Sequence, residues 1–596
     1  MATSASAATR GGEWLISPGD PATVFSPERL NEEQRMIAQT VTDFVDNEVL
    51  PVLDRLEQKD WALARDLVKR AGALGLLGVD VPEEFGGLAL DKITSMLVSE
   101  RISRSASFGA TFGAQANLMI LPLTLFGSEA QKQQYLPQFL SGELIGAYCL
   151  SEPGSGSDAL GAKTRAVRQP DGSFVLNGEK AWITNGGFAD VYIVFGKVVD
   201  SAGEHFSAFI VERAFKGVSN GKEEHKMGLH GSSTTPVILQ DVRVPAANLL
   251  GEVGRGHKIA FNVLNFARFK LGAMCVGGAR GAIAEAAAYA ADRRQFGQPI
   301  ANFGAIKHKL GEMIARAYAV ESLIYRTAGS IEARIQATPH AAGDQSAALA
   351  ALEEFAMEAS IAKVAGSEML DYVLDENIQI HGGNGYVRDY PAERHYRDSR
   401  VNRIFEGTNE INRLLIPGIL ARRAAKGDSA LVEAARALQS ELSGSSASPS
   451  APSSELPVPD ALKKTALLTL GLAMQRYKDT FGDQQEVLIQ LADIIIDAYA
   501  AESAVLRAKA VQAAARTSTQ TTVADLQADA ARVYADDAAM RVQAAARRAI
   551  ASMLDGDALR LTLGALRRLT AVPPVDTIQL RRRLADEAVR RRAYPF

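Results

Sequence analysis

The stretch RIFEGTNEI, residues 403–411, sets Glu406 between an aromatic residue and a glycine, directly ahead of a helix start. Thr408 or Asn409 can cap the helix that continues through Leu415, because a short side-chain oxygen there accepts a free N–H of the first turn. A Glu406 carboxylate held among apolar groups has its charged form destabilised, which raises its pKa toward the range of a general base. The opposite outcome is a solvated glutamate that favours the helix dipole, and this would lower the pKa.

Other segments become informative beside this one. QIHGGNG at 379–385 ends a helix and turns sharply, so Gly382 and Gly383 read first as a C-cap. Glycines there also let backbone approach a cofactor closely. The stretch follows a helix where a dinucleotide fingerprint would follow a strand, which argues against a Rossmann loop. Arg293-Arg294-Gln295-Phe296-Gly297 stands at the end of a long Ala-rich segment. Basic residues suit a helix C-terminus; the functional alternative is an arginine that reaches a pyrophosphate across a subunit boundary. SEPGSGSD at 151–158 follows an apolar run, and Gly154 and Gly156 can let successive N–H groups converge on a phosphate or a flavin edge. In AWITN at 181–185, strand alternation puts Trp182 and Thr184 on one face, where an indole and a hydroxyl could flank an isoalloxazine ring or simply fill a core.

Composition supplies the frame. The chain has 596 residues, 47% hydrophobic and 22% charged, with a net charge of −4. That is ample for several packed domains and ordinary for a globular protein. Interspersed charge gives no case for nucleic acid as a main partner. Two cysteines cannot make a disulfide framework, which points to a reducing compartment. No apolar run suffices to span a bilayer, and the first residues lack the apolar core of a secretion signal, so the expected location is cytoplasmic. Eight histidines show no HExxH or Cys/His metal spacing, and neither a P-loop nor a G-x-S-x-G elbow is present.

Texture along the chain predicts a mainly α protein with a central β domain. Residues 1–30 form an extension and 31–145 a helical domain, with Asp60 capping one helix. Residues 146–250 read as an antiparallel β domain with turns at Asp171-Gly172, Asn177-Gly178 and Asn185-Gly186-Gly187. Residues 251–425 form a helical bundle carrying Glu406, 426–459 a Ser/Pro-rich linker, and 460–596 a further helical domain.

Taken together, AYCLSEPGSGSD at 147–158 and RDSRVNRIFEGTNEINRLL at 397–415 resemble the two signature stretches of the acyl-CoA dehydrogenase family. HKMG at 225–228, DVRVP at 241–245 and Asn302-Phe303-Gly304 look like the very-long-chain branch, the long form with an extra C-terminal helical domain. The resemblance implies FAD as cofactor and α,β-desaturation of a medium-to-long fatty acyl-CoA to a trans-2-enoyl-CoA in β-oxidation. Electrons would pass to an electron-transfer flavoprotein. Glu406 matches the base that removes the α proton. Ser151, Trp182 and Thr184 match flavin contacts, and Ser157 a residue near both flavin and pantetheine. Arg293 and Phe296 match contacts to the adenine dinucleotide of a neighbouring subunit, joined by Gln379, Gly382, Gly383 and Thr408. Asn265, Arg268 and Gly407 fall on the substrate side. Another branch takes its base from the helix carrying Arg268; Ala267 stands there, so Glu406 has no rival.

The chain departs from the pattern in places. Met119 and Pro122 pair with small residues that deepen the acyl tunnel, and a bulky Met119 would shorten it. The stretch that attaches relatives to membranes corresponds to the Ser/Pro linker, which lacks an apolar face, so membrane association is not expected. The long form resembles homodimers more than tetramers. A flavin oxidase or monooxygenase of the same fold is the alternative activity, and those relatives generally lack the glutamate; a non-catalytic assembly factor is a third reading.

Overall fold

The computed structural model describes residues 10–341, 343–427, 429–444, 457–515 and 521–596. The N-terminal helices form where the caps ask for them. Asn31 and Gln34 make a reciprocal capping box for Glu32–Phe44, and Asp60 accepts from the Leu63 N–H at 3.1 Å to start Trp61–Ala73. The helix Ala106–Gly113 continues into a wider-pitched turn, Ala114–Ile120.

The central sheet contains β1 (Gly146–Cys149), β2 (Arg165–Arg168), β3 (Phe174–Thr184), β4 (Val191–Asp200), β5 (Gly203–Glu212), β6 (Val218–Asn220), β7 (Thr234–Val244) and β8 (Leu249–Leu250). Its order is β6-β7-β3-β2-β4-β5-β8, with β1 beside β4. The sheet is mixed, not purely antiparallel: β1 and β2 both run parallel to β4. The long stretches of chain from β1 to β4 and from β2 to β4, both passing through β3, make those parallel pairings possible. Asn177-Gly178 is not a turn either. It lies inside β3 at a register shift, where a Cβ on Gly178 would stand 2.3 Å from Thr164 Oγ1, so glycine serves close packing there.

Four long helices, Gly256–Asp292, Gly304–Ala337, Ala356–His381 and Asn409–Ala425, make the bundle. The C-terminal helices Val458–Tyr477, Gln485–Ala515, Thr521–Met553 and Thr577–Arg591 share one continuous apolar core with it. Buried charge fixes their register. Arg507 bridges Glu321 and Glu28, each at 2.7 Å, and Arg581 reaches Glu312 at 2.7 Å. Part of the expected linker is helical, over Ser429–Gly444, because an amphipathic stretch precedes the Ser/Pro run; residues 445–456 lie outside the described residues.

Two stretches, Ala106–Phe126 and Gly256–Asp292, are long and apolar enough to cross a membrane by length and composition, contrary to the expectation of no such run. Both are mostly buried. They are apolar on nearly all sides because each packs against neighbours on nearly all sides.

Candidate active site

Glu406 lies in a tight loop between the turn Arg400–Arg403 and the helix Asn409–Ala425. Its φ is +57°, and that of Gly407 is +78°. A left-handed residue bearing a Cβ costs about 1–3 kcal/mol and persists only where its surroundings over-determine it. Three side chains do so here. Arg268 Nε donates to the Glu406 carbonyl at 2.9 Å, and Lys363 Nζ donates to the Gly407 carbonyl at 2.8 Å. Asn412 Nδ2 donates to the carbonyls of Gly407 and Thr408 at 2.8 and 3.0 Å. Thr408 is the N-cap, its Oγ1 accepting from the Ile411 N–H at 3.3 Å.

The Glu406 side chain borders a cavity of about 620 Å³. Its Oε2 is sealed from water and has no hydrogen-bond partner among the described residues. Burial pushes its pKa up to about 7, against the opposing pull of Arg268 and Lys363. Both cations are engaged on backbone carbonyls, so burial wins, and the helix dipole does not rescue the charge. Lys363 is itself drawn down to about 8 by burial.

The cavity is lined by a run of small residues, Ala106, Gly109, Ala110, Gly113 and Ala114, and by Ala267, Leu271 and Met274 of the long bundle helix. Met119 and Pro122 are not in this lining. Met119 is buried against β1, where a Cβ on Gly146 would lie 2.0 Å from its Cγ, so the expected obstruction is absent and small residues do line the cavity. The lining also includes Ser151, Trp182, Thr184 and Tyr148. Trp182 and Thr184 meet there by a different route from the strand alternation expected. A bulge between Lys180 and Ile183 puts Trp182 at φ +56°, and its indole is 59% exposed.

Other residues of interest stand elsewhere. Arg293, Phe296, Gln379, Gly382 and Gly383 are on the outer surface of this chain, with Phe296 92% exposed at the tip of a small hairpin. Ser157 is exposed in its loop and does not line the cavity. Arg268 is turned inward beneath the Glu406 loop, with Nη1 donating to Asn265 Oδ1 at 3.1 Å. The SEPGSGSD loop is braced by Glu152, which accepts from the N–H groups of Lys163 and Thr164 and pairs with buried Lys180 at 2.7 Å. Among the described residues no group of three or more His, Cys, Asp or Glu could hold a metal ion.

Four family profiles match this architecture in chain order. They are the acyl-CoA dehydrogenase N-terminal domain over residues 31–143, the middle domain over 147–242, and C-terminal domains over 254–420 and 461–568. The chain belongs to the acyl-CoA dehydrogenase family. A probable acyl-CoA dehydrogenase of Bacillus subtilis (strain 168) is 46% identical over 595 residues, covering 98% of each chain. The human mitochondrial very long-chain specific acyl-CoA dehydrogenase is 40% identical over 406 residues, 65% of this chain and 58% of its own. The crystal structure of an acyl-CoA dehydrogenase from Bacillus anthracis complexed with FAD superimposes with a TM-score of 0.94 at 46% identity, covering 98% of this chain and 100% of that one.

The acyl-CoA dehydrogenases are FAD-dependent oxidoreductases, and this chain's residues fit a flavin. The cavity offers a half-exposed indole and the Thr184 side chain beside the buried, unpartnered Tyr148 hydroxyl. A Cβ placed on Gly154, Gly156, Gly297, Gly382 or Gly383 would meet nothing within 4 Å, so open space surrounds those loops. Tyr148, Lys363 and Asn412 are site residues that the sequence did not single out. Tyr148 lies within a quoted motif, and Lys363 breaks an apolar helical run, SIAKVAG, which is the signal that could have exposed it.

Proposed function

We propose that this acyl-CoA dehydrogenase desaturates medium-to-long fatty acyl-CoA thioesters at the α,β position in fatty-acid β-oxidation, with Glu406 as the base. One observation carries this reading. A carboxyl oxygen without a partner among the described residues, on a group raised in pKa to about 7, borders a cavity also lined by a run of alanine and glycine. A carboxylate near neutral pKa is matched to proton abstraction at physiological pH. Small residues leave room for an acyl chain, and the apolar lining excludes the water that would stabilise the carboxylate and blunt it as a base. Bound FAD supplies the acceptor for the β hydride.

The chain's own groups do the rest. Arg268, Lys363 and Asn412 hold the Glu406 loop in its left-handed conformation. Trp182, Thr184 and Ser151 supply the wall for the flavin, and the Glu406 backbone N–H is the proposed donor to the thioester oxygen as negative charge develops there. Arg293, Phe296, Gln379, Gly382 and Gly383 face outward, which supports a homodimer in which they touch the neighbour's dinucleotide. Thr408 caps the helix that follows Glu406. Electron-transfer flavoprotein is the proposed electron acceptor and the cytoplasm the proposed location. Two buried free thiols, Cys149 and Cys275, support a reducing compartment.

Anaerobic mixing of the yellow holoenzyme with acyl-CoAs of graded length tests the reaction. Bleaching at chain lengths of eight carbons or more is expected, with no oxygen consumed when air is admitted in the absence of another acceptor. Absence of bleaching across the series rejects the activity, and rapid oxygen uptake would assign an oxidase instead. Firm vesicle binding in high salt would reject the location.

A further inference from the structure

The C-terminal domain touches the catalytic loop through one unbroken line of hydrogen bonds. It begins on the helix Gln485–Ala515, where Asp493 accepts from Arg413 Nε at 2.8 Å. The same guanidinium forks onto Glu368, Nη1 to Oε1 at 2.6 Å and Nη2 to Oε2 at 2.8 Å. Glu368 Oε1 also accepts from Asn409 Nδ2 at 2.9 Å. Asn409 Oδ1 accepts from Lys363 Nζ at 2.6 Å, and Lys363 Nζ ends the line on the Gly407 carbonyl at 2.8 Å. Asn409 and Lys363 are buried and Arg413 is 15% exposed, so water competes little at the loop end of the line, while the Glu368 and Asp493 carboxylates at its outer end are 40% and 38% exposed.

The direction of constraint follows from the loop's strain. Glu406 and Gly407 both sit at positive φ, and the loop keeps that shape only while its carbonyls are held. Lys363 is one of those holders, and a lysine is a flexible point donor with three protons to place. Asn409 fixes where that ammonium stands. Glu368 holds Asn409 together with Ser367 Oγ, which accepts from Asn409 Nδ2 at 3.0 Å, and Arg413 fixes Glu368 by the bidentate geometry that only a guanidinium provides. The guanidinium's third nitrogen, Nε, donates to Asp493. Removing Asp493 leaves the fork free to swing about its remaining anchor.

We infer that Asp493 is a positioning residue for Glu406, and that the C-terminal domain thereby tunes the catalytic loop instead of serving only as packing. The inference rests on Glu406 being the base. It places the domain's influence on kcat, since the line ends at the loop and touches no cavity-lining side chain other than through it.

The test uses the full-length holoenzyme and two substitutions, Asp493→Ala and Asp493→Asn. Asn retains an oxygen that accepts the Nε–H, and Ala does not. Expected for Asp493→Ala is a kcat lower by roughly 3- to 10-fold with KM within about twofold, the scale of coupling carried by such networks. Amide exchange in the peptide covering residues 404–412 should also quicken, and Asp493→Asn should restore both readouts most of the way. Unchanged kcat and exchange in Asp493→Ala would overturn the inference. So would equal losses in both variants that track lost flavin or a lowered Tm, because that marks general destabilisation. Full activity in Glu406→Gln would sink the base assignment itself, while the exchange readout would still report whether Asp493 holds the loop.

Discussion

Ser151, Trp182, Thr184 and Glu406 come from three separate segments and meet around one cavity, whereas Arg293, Phe296, Gln379, Gly382 and Gly383 stand on the outside of the same chain. Both sets follow from the same kind of motif reading, and the fold sorts them. The inner set is completed by intramolecular packing: a bulge turns Trp182, and three side chains hold the Glu406 loop. The outer set stands on exposed turns, with Phe296 and Gly297 at positive φ, Arg294 donating to the Gly297 carbonyl at 2.8 Å, and Gly382 ending its helix at φ +60°. A site of the first kind is finished when the chain folds. A site of the second kind needs something else to close over it, and in our reading that is a second copy.

The largest effect expected belongs to the inner set. Glu406→Gln should keep its yellow flavin and lose about 10²–10⁴-fold of turnover, the usual contribution of a general base. Stopped-flow bleaching at saturating substrate reads this directly, and turnover near that of the parent would move the base elsewhere. The same substitution should change stability with a definite sign. Because the folded enzyme holds the Glu406 proton up to pH about 7, against the ordinary value of 4.5, it binds more protons than the unfolded chain between those limits. Stability from this group is therefore intact below about pH 4.5 and declines as pH rises to 7, by ~3 kcal/mol from a shift of this size. Glutamine has no charge to bury, so Glu406→Gln should raise Tm at pH 8 and leave it nearly unaltered at pH 5. A Tm difference independent of pH would contradict a buried, uncompensated carboxylate.

A smaller effect is expected from the outer set. If Arg293 reaches the dinucleotide of a neighbouring copy, Arg293→Ala should weaken FAD binding by roughly 10- to 100-fold, the cost of one hydrogen bond from a charged group. Titration of the apoenzyme with FAD measures it, with sedimentation showing that the variant's oligomeric state matches the parent's. FAD affinity that does not change would leave the inner cavity as the whole cofactor site and erase the contrast between the two sets.

The helical–β–helical order, the Asp60 cap, a cap at Thr408 or Asn409 that the structure resolves as Thr408, and the position of Glu406 ahead of it were legible in the sequence, because each depends on local rules: periodicity, turn residues and capping oxygens. What escaped depends on distant contacts. Asn177-Gly178 has the composition of a hairpin turn, yet Thr164 packs so closely that only glycine fits a strand there. Whether Glu406 would be charged or neutral could not be read locally either, since its pKa is set by burial against residues more than a hundred positions away. Met119 illustrates the same limit. Its size was plain, but its direction was decided by the gap that Gly146 leaves in β1.

That correction yields the smallest and most graded prediction. Met119 is off the cavity, whose lining includes Ala110 and Ala114, one helical turn apart; in our reading the acyl chain runs beside them. Each methylene an acyl-CoA adds within the apolar part of the cavity should contribute ~0.8 kcal/mol, so kcat/KM should climb about fourfold per carbon and then level off where the cavity ends. Ala110→Leu fills part of that space with three added carbons. It should move the plateau to shorter chains while leaving the rates on those shorter substrates within about twofold, because it stands on the wall and not at the loop that carries Glu406. A plateau that stays in place would mean that the chain runs along a different face of the cavity, and Met119→Gly would then be equally silent. A uniform loss at every chain length would instead show that Ala110 supports the fold of its helix, which separates packing from selection by the shape of one curve.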